Sequence, residues 1–241
     1  MGWDLSQSAL SIYYNCPYAY KIHYLDKEEA VFWNPDALDV GGIVHDTIDD
    51  YYKHYHLLKG SPEDVFSRTY DIFKKRWEPT YSIDDYKKAF TSLQNHSGWE
   101  SKNISMGVGM NPISELDVRY GGYHGILDYV DRERCIVVDW KTNKYPTISY
   151  SYRMQAYVYK TLFEGKYGEK LKHFYFYFLY PDRIKEISYD DRKQIEVGKQ
   201  VEELKEKVLS SLRNENFEKK PRLDSGCRNC GYKLYCKFGG G

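Results

Sequence analysis

The sequence predicts an α/β fold, a central mixed sheet flanked by helices, on three observations. Apolar residues recur at helical spacing through the first hundred positions. Alternation with a period of two takes over between Ile113 and Lys141, and helical spacing then returns on both sides of a second pair of strands. The chain has 241 residues, a length that one domain can occupy, and we expect a single domain over 1–241.

The first helix is expected from Ser6 to Asn15, stopped where Cys16-Pro17 interrupts it. Val44, Ile48, Tyr51, Tyr55 and Leu58 place a second over about Gly42 to Leu58, ended by Gly60. Ser61-Pro62-Glu63-Asp64 opens a third, with Ser61 as N-cap, Pro62 at the first position and Asp64 completing a capping box. Another covers Asp84 to Ser101, and 61–112 reads as a helical insertion. Ile113–Tyr120, Tyr123–Val130 and Cys135–Lys141 are strands, the last two joined by a turn at Asp131-Arg132-Glu133-Arg134. A helix from Tyr150 to Glu164, striped by Met154, Val158 and Leu162, leads to strands at His173–Tyr180 and Lys185–Tyr189. A long helix follows from Asp191 to Arg213.

Lys+Arg and Asp+Glu both number 35, so bulk charge offers no argument for nucleic acid and any contact must come from a local patch. After Phe217, Lys219, Lys220, Arg222, Arg228, Lys233 and Lys237 face only Glu218 and Asp224, a pattern that a solvated tail would share. The 26 tyrosines read mainly as core and strand residues, as in His173-Phe174-Tyr175-Phe176-Tyr177-Phe178. No stretch approaches the roughly 20 apolar residues of a membrane span. The opening Met1-Gly2-Trp3-Asp4 lacks the regions of a signal peptide, so a cytoplasmic address and no membrane partner are expected.

Chemistry concentrates in Gly125-Ile126-Leu127-Asp128 and Val137-Val138-Asp139-Trp140-Lys141-Thr142. Strand alternation sets Asp139 and Lys141 on one face. If Asp131 pairs with Arg134, Asp128 lies opposite Val137 and diagonal to Asp139, roughly 7–8 Å away. Two such carboxylates can hold Mg²⁺ or Mn²⁺, and a lysine beside them can stabilise negative charge on a phosphate. A structural ion pair would look the same in sequence. Gly41-x-x-x-His45 lies at the expected start of the second helix, and Gln155 and Tyr159, four apart, share a helix face. Each alone carries little.

In succession, Gly-x-x-x-His, Gly-Ile-x-Asp, Asp-x-Lys-Thr and Gln-x-x-x-Tyr resemble the RecB/AddB-type branch of the PD-(D/E)XK nucleases. That branch includes the CRISPR-associated iron–sulfur exonucleases and several phage recombination nucleases. Leu5-Ser6-Gln7-Ser8-Ala9-Leu10 and Cys16-Pro17 extend the likeness, which runs from residue 5 to 236 but places no motif between Ser61 and Pro112. The resemblance implies a PD-(D/E)XK restriction-endonuclease-like core. His45, Asp128 and Asp139 would bind metal, Lys141 would be the catalytic lysine, and Gln155 and Tyr159 would contact or align DNA. Glu115 matches an acidic residue on the preceding strand. Many relatives carry Glu where Asp139 stands.

Cys227-x2-Cys230-x5-Cys236 is one ligand short of a closed four-coordinate site, so a fourth must come from far away. On spacing alone zinc and iron–sulfur both remain open. The resemblance implies Cys16 as fourth ligand and a [4Fe–4S] cluster in the C-terminal cysteine region. Cys135 reads as a small buried hydrophobe. The expected activity is metal-dependent DNA hydrolysis, as an exonuclease on single strands or ends; a catalytically inactive DNA-binding or assembly module that keeps the fold is the alternative. Gly-x-x-x-x-Gly-Lys-[Ser/Thr] does not occur, so any unwinding belongs to a partner such as a helicase or a recombination or adaptation protein.

Overall fold

A computed structural model describes residues 4–31, 36–55, 58, 60–78, 80–105, 112–220, 227 and 230–236. The helices are α1 (Gln7–Asn15), α2 (Pro17–Tyr20), α3 (Asp36–Tyr55), α4 (Pro62–Arg76), α5 (Ile83–Ser105), α6 (Tyr150–Tyr167) and α7 (Arg192–Asn214). The strands are β1 (Ile113–Tyr120), β2 (Tyr123–Asp131), β3 (Ile136–Lys141), β4 (His173–Phe178) and β5 (Arg183–Glu186). A π-helical turn, Lys21–Leu25, follows α2 directly.

The strands form one mixed sheet in the order β1-β2-β3-β4-β5. Neighbours are antiparallel except β3 and β4, which are parallel and therefore need the crossover that α6 supplies. β3 and β4 are apolar on both faces because both faces are covered. On one side Leu10, Met154, Val158 and Val201 of α1, α6 and α7 meet Val137 and Phe174. On the other, Val44, Val65 and Leu93 of α3, α4 and α5 meet Val138, Trp140 and Tyr177. The α/β architecture is the expected one. Aromatic rings fill the second core: Trp140 lies 5.2 Å from Trp99, 5.3 Å from His96 and 5.8 Å from Tyr129.

Local signals act as the sequence indicates. Ser61 and Asp64 form both arms of the capping box on α4. Ser149 caps α6, and Gly168 ends it with φ 69°, a left-handed conformation suited to glycine. Other boundaries move. α3 begins at Asp36, so Gly41 and His45 sit inside it rather than at its start. Packing overrides the helix-breaking tendency of Gly41, where a Cβ would lie 3.4 Å from Thr142 Oγ1. β5 is a short exposed edge strand, displaced toward the chain start from Lys185–Tyr189. Arg222, Asp224, Arg228 and Lys237 of the basic C-terminal run lie outside the described residues.

The hairpin register departs from expectation by two residues. Asp131 pairs with Ile136, not Arg134, and Val130 faces Val137. The cause is a wider turn: Asp131 Oδ1 accepts from the Arg134 N–H at 3.1 Å, and Cys135 adopts φ 56° inside the turn instead of starting the strand. Carried one pair beyond Tyr129–Val138, this register sets Asp128 opposite Asp139 rather than diagonal to it.

Candidate active site

Five elements, β1, β2, β3, α3 and α6, converge where β2 and β3 part. Glu115 stands in β1 with φ 46°, and the otherwise continuous β1–β2 ladder skips the Glu115–Asp128 pair. Leu127 and Val130, three apart, both join the core on the α6 side, while Tyr129 joins the other. Strict alternation is therefore broken at Asp128, which re-aims its carboxylate. His45 arrives from α3: its Nδ1 is 3.5 Å from Asp128 Oδ2 and 3.9 Å from Glu115 Oε1. Ligand atoms of His45, Glu115 and Asp128 all lie within 4.8 Å of one another.

Asp139 stands on β3, 1% exposed. Its Oδ1 pairs with Lys141 Nζ, and its Oδ2 accepts from Gln155 Nε2 at 2.8 Å. The other end of the Gln155 amide accepts from Lys141 Nζ at 3.1 Å. One glutamine of α6 thus spans the carboxylate and the ammonium, which share a strand face as alternation requires. Asp128 Oδ2 accepts from the Trp140 backbone N–H at 2.8 Å, which ties the two strands where their ladder ends.

Electrostatics follow from crowding buried acids. Burial and the Asp139 carboxylate push Asp128 up to about 7, against His45 and Lys141. Burial alone would lower His45, but Asp128, Glu115 and Asp139 outweigh it and carry the imidazole up to about 9. Burial likewise disfavours the Lys141 ammonium, yet Asp139 and Asp128 overcome it and raise the amine. The pocket sets cationic groups among its buried carboxylates, and its carboxylate oxygens suit a hard divalent ion such as Mg²⁺ or Mn²⁺.

Tyr159 is buried one turn after Gln155; burial, then Asp139 and Asp128, hold its phenol protonated well above the ordinary range. Its ring explains Gly125: a Cβ there would lie 3.1 Å from Tyr159 Cε1 and 2.9 Å from Leu162 Cδ1. Sequence reasoning missed Tyr152, whose ring centroid is 4.9 Å from Lys141 Nζ, and Phe176, at 5.4 Å. The spacing of Tyr152, three residues before Gln155, is the signal that could have found it.

The cysteines divide as well. Cys16, the C-cap of α1, and Cys230 pack against the same small cluster of Ala19, Ile22 and Tyr232. Burial pushes the Cys230 thiol up, and the nearby Cys16, Cys227 and Cys236 add to the effect. Among the described residues no three cysteine sulfurs lie within 4.8 Å of one another. Cys135 is elsewhere, buried in the hairpin turn with its thiol 3.5 Å from Glu169 Oε2.

A family model described as the PD-(D/E)XK nuclease superfamily matches residues 4–237. The chain belongs to the PD-(D/E)XK nuclease superfamily. Its Asp128 and Asp139-x-Lys141 occupy adjacent strands of the sheet. No curated protein matches the chain. Among solved structures, one titled "Crystal structure of SSO0001" is 16% identical, with 83% of this chain and 96% of that chain covered and a TM-score of 0.37. A likeness of that size carries no argument here. As in other members of a superfamily of DNA-cutting enzymes, DNA is the substrate class, and divalent metal is consistent with the acidic site. No described helix is long and apolar enough to cross a membrane.

Proposed function

We propose that this PD-(D/E)XK nuclease is an exonuclease that hydrolyses single-stranded DNA or DNA ends, with the whole of 1–241 as one nuclease domain and 61–112 as its helical insertion. The observation that carries the reading is the junction of two clusters through facing aspartates: His45, Glu115 and Asp128 on one side, Asp139, Lys141 and Gln155 on the other. His45, Glu115, Asp128 and Asp139 would hold Mg²⁺ or Mn²⁺. The ion, when bound, supplies an acidified water and charge neutralisation at the scissile phosphate. Lys141 donates toward the phosphate oxygen or the attacking water, its ammonium fixed by Asp139 and Gln155. Gln155 is 8% exposed and both ends of its amide are engaged, so its role is to align Asp139 with Lys141 rather than to reach DNA directly. Tyr159 holds that helix against Gly125.

The same proposal assigns Cys16, Cys227, Cys230 and Cys236 to a [4Fe–4S] cluster, as in the RecB/AddB-like branch. Support comes from the shared neighbourhood of all four and from their spacing. A helicase or a recombination or adaptation protein would supply any unwinding.

Linear and covalently closed single-stranded DNA, incubated with Mn²⁺, test the exonuclease reading. Linear strands should disappear into short products while circles survive. Nicking of the circles at a comparable rate would make the enzyme an endonuclease.

A further inference from the structure

Within the described strands, Glu115 alone has a left-handed backbone, with φ 46° near the start of β1. A glutamate has no local reason to adopt that conformation. Its effect shows in the neighbours. Leu116 and Val118 pack on the α6-side core, and unbroken alternation would send Ser114, of the same parity, to that side as well. The Ser114 hydroxyl instead donates to Asp49 Oδ1 at 2.6 Å, on α3, whose apolar residues belong to the other core. Asp49 is 9% exposed, and its second oxygen pairs with Lys53. It stands four residues after His45, one turn along the same helix.

We propose that Asp49 is a positioning residue for the metal site, acting through Ser114 to hold Glu115 in its reversed conformation. A left-handed glutamate persists only where its surroundings over-determine it, and such residues gather at functional sites. Here one helix supplies both restraints. Asp49 fixes residue 114, and His45 Nδ1 lies 3.9 Å from the carboxylate of residue 115. Asp49 stands outside the ligand group of His45, Glu115 and Asp128, and both its oxygens are engaged, so its part is to anchor β1. Without that anchor β1 relaxes toward ordinary extended backbone, and the Glu115 carboxylate moves off His45 and Asp128. This role rests on the reading that Glu115 helps to hold Mg²⁺ or Mn²⁺; the reversal of the strand does not.

The Mn²⁺ affinity of the full chain, titrated by calorimetry without DNA, tests this role. Ser114→Ala and Asp49→Ala should each weaken Mn²⁺ binding at least about tenfold, the scale seen when groups that orient metal ligands are lost. Ser114→Thr, which keeps the hydroxyl, should bind like wild type. In Glu115→Gln protein, already weakened, Ser114→Ala should cost nothing more, because the carboxylate it positions is gone. A merely structural serine would lower the thermal midpoint alike in both backgrounds and leave the affinity alone. The backbone can also be read without metal. Glu115→Gly should melt above Glu115→Ala, since glycine takes the left-handed conformation freely, and adding Ser114→Ala should close that gap. Affinity unaltered in both Ser114→Ala and Asp49→Ala, an equal loss with and without the Glu115 carboxylate, or a gap that stays open would overturn the proposal and leave the metal site standing. Wild-type protein that binds no Mn²⁺ would overturn the metal reading, and this role with it.

Discussion

Asp139 meets its partners from two elements, Lys141 from its own strand and Gln155 from α6, and that division separates their expected effects. Asp139→Ala removes a carboxylate proposed to hold metal and frees Lys141, so cleavage should fall at least about 10²-fold together with Mn²⁺ affinity. Lys141→Ala should lose as much rate but keep the ion, because His45, Glu115 and Asp128 are unaltered. Rates and Mn²⁺ titration by calorimetry check both, and undiminished cleavage in either variant would contradict the assignment. The motifs made His45, Asp128, Asp139, Lys141 and Gln155 legible from sequence alone. Tyr152 was not, because one tyrosine among 26 carries no signal until a lysine is seen beneath its ring.

At the scale of elements, the hairpin and α6 must approach closely for Gln155 to reach β3. Gly125→Ala would press a methyl against Leu162 and Tyr159, an overpacking that costs about 1–3 kcal/mol. A lower thermal midpoint with reduced cleavage is expected; an unchanged midpoint would mean that α6 tolerates the shift. α3 and α5 are joined by a buried network in which the Tyr52 hydroxyl donates to Glu100 Oε2 at 2.8 Å and lies 3.2 Å from His96 Nε2. Burial pushes Glu100 up to about 7 and His96 down to about 3. The folded chain therefore keeps a proton on Glu100 between about pH 4.5 and 7 that the unfolded chain has released, and this group loses the fold stability as pH rises through that window. His96 has the opposite slope, gaining stability from about pH 3 to 6.5, so the difference between variants is the informative quantity. Glu100→Gln should raise the thermal midpoint relative to wild type above pH 7 and leave little difference below pH 4.5. An advantage that did not grow with pH would contradict the buried, protonated Glu100. Helices and strands were legible here from periodicity and caps. The hairpin register was not, because the Asp131 side chain, not the strand pattern, sets the turn.

Across the whole molecule, the chain's two ends are joined before any cluster is considered. The Val31 N–H donates to the Gly231 carbonyl at 2.8 Å, the Tyr18 N–H donates to the Glu218 carbonyl at 3.2 Å, and Tyr232 packs on Ala19 and Ile22. A [4Fe–4S] cluster would lock that junction. Protein purified without oxygen should be brown and carry about four iron per chain. Cys16→Ser and Cys227→Ser should both lose the colour and melt lower, since ligation present only in the folded chain stabilises it, whereas Cys135→Ser should keep the colour. Colourless protein with stoichiometric zinc would refute the cluster and leave the nuclease site standing. The spacing of the three C-terminal cysteines suggests a metal; Cys16 enters as the proposed fourth ligand only through the family likeness, because nothing local marks it.

On the proposed function, the facing aspartates and their lysine form a metal-dependent DNA-cleaving site. Its most direct test is the degradation rate of end-labelled single-stranded DNA, measured with Mg²⁺ or Mn²⁺, with chelator, and with Asp139→Ala under the same conditions. Cleavage is expected with metal alone, abolished by chelator and reduced at least about 10²-fold in the variant. Wild-type protein that binds the strand but leaves it intact with either ion would contradict it, and would make the chain a DNA-binding module that keeps the nuclease fold.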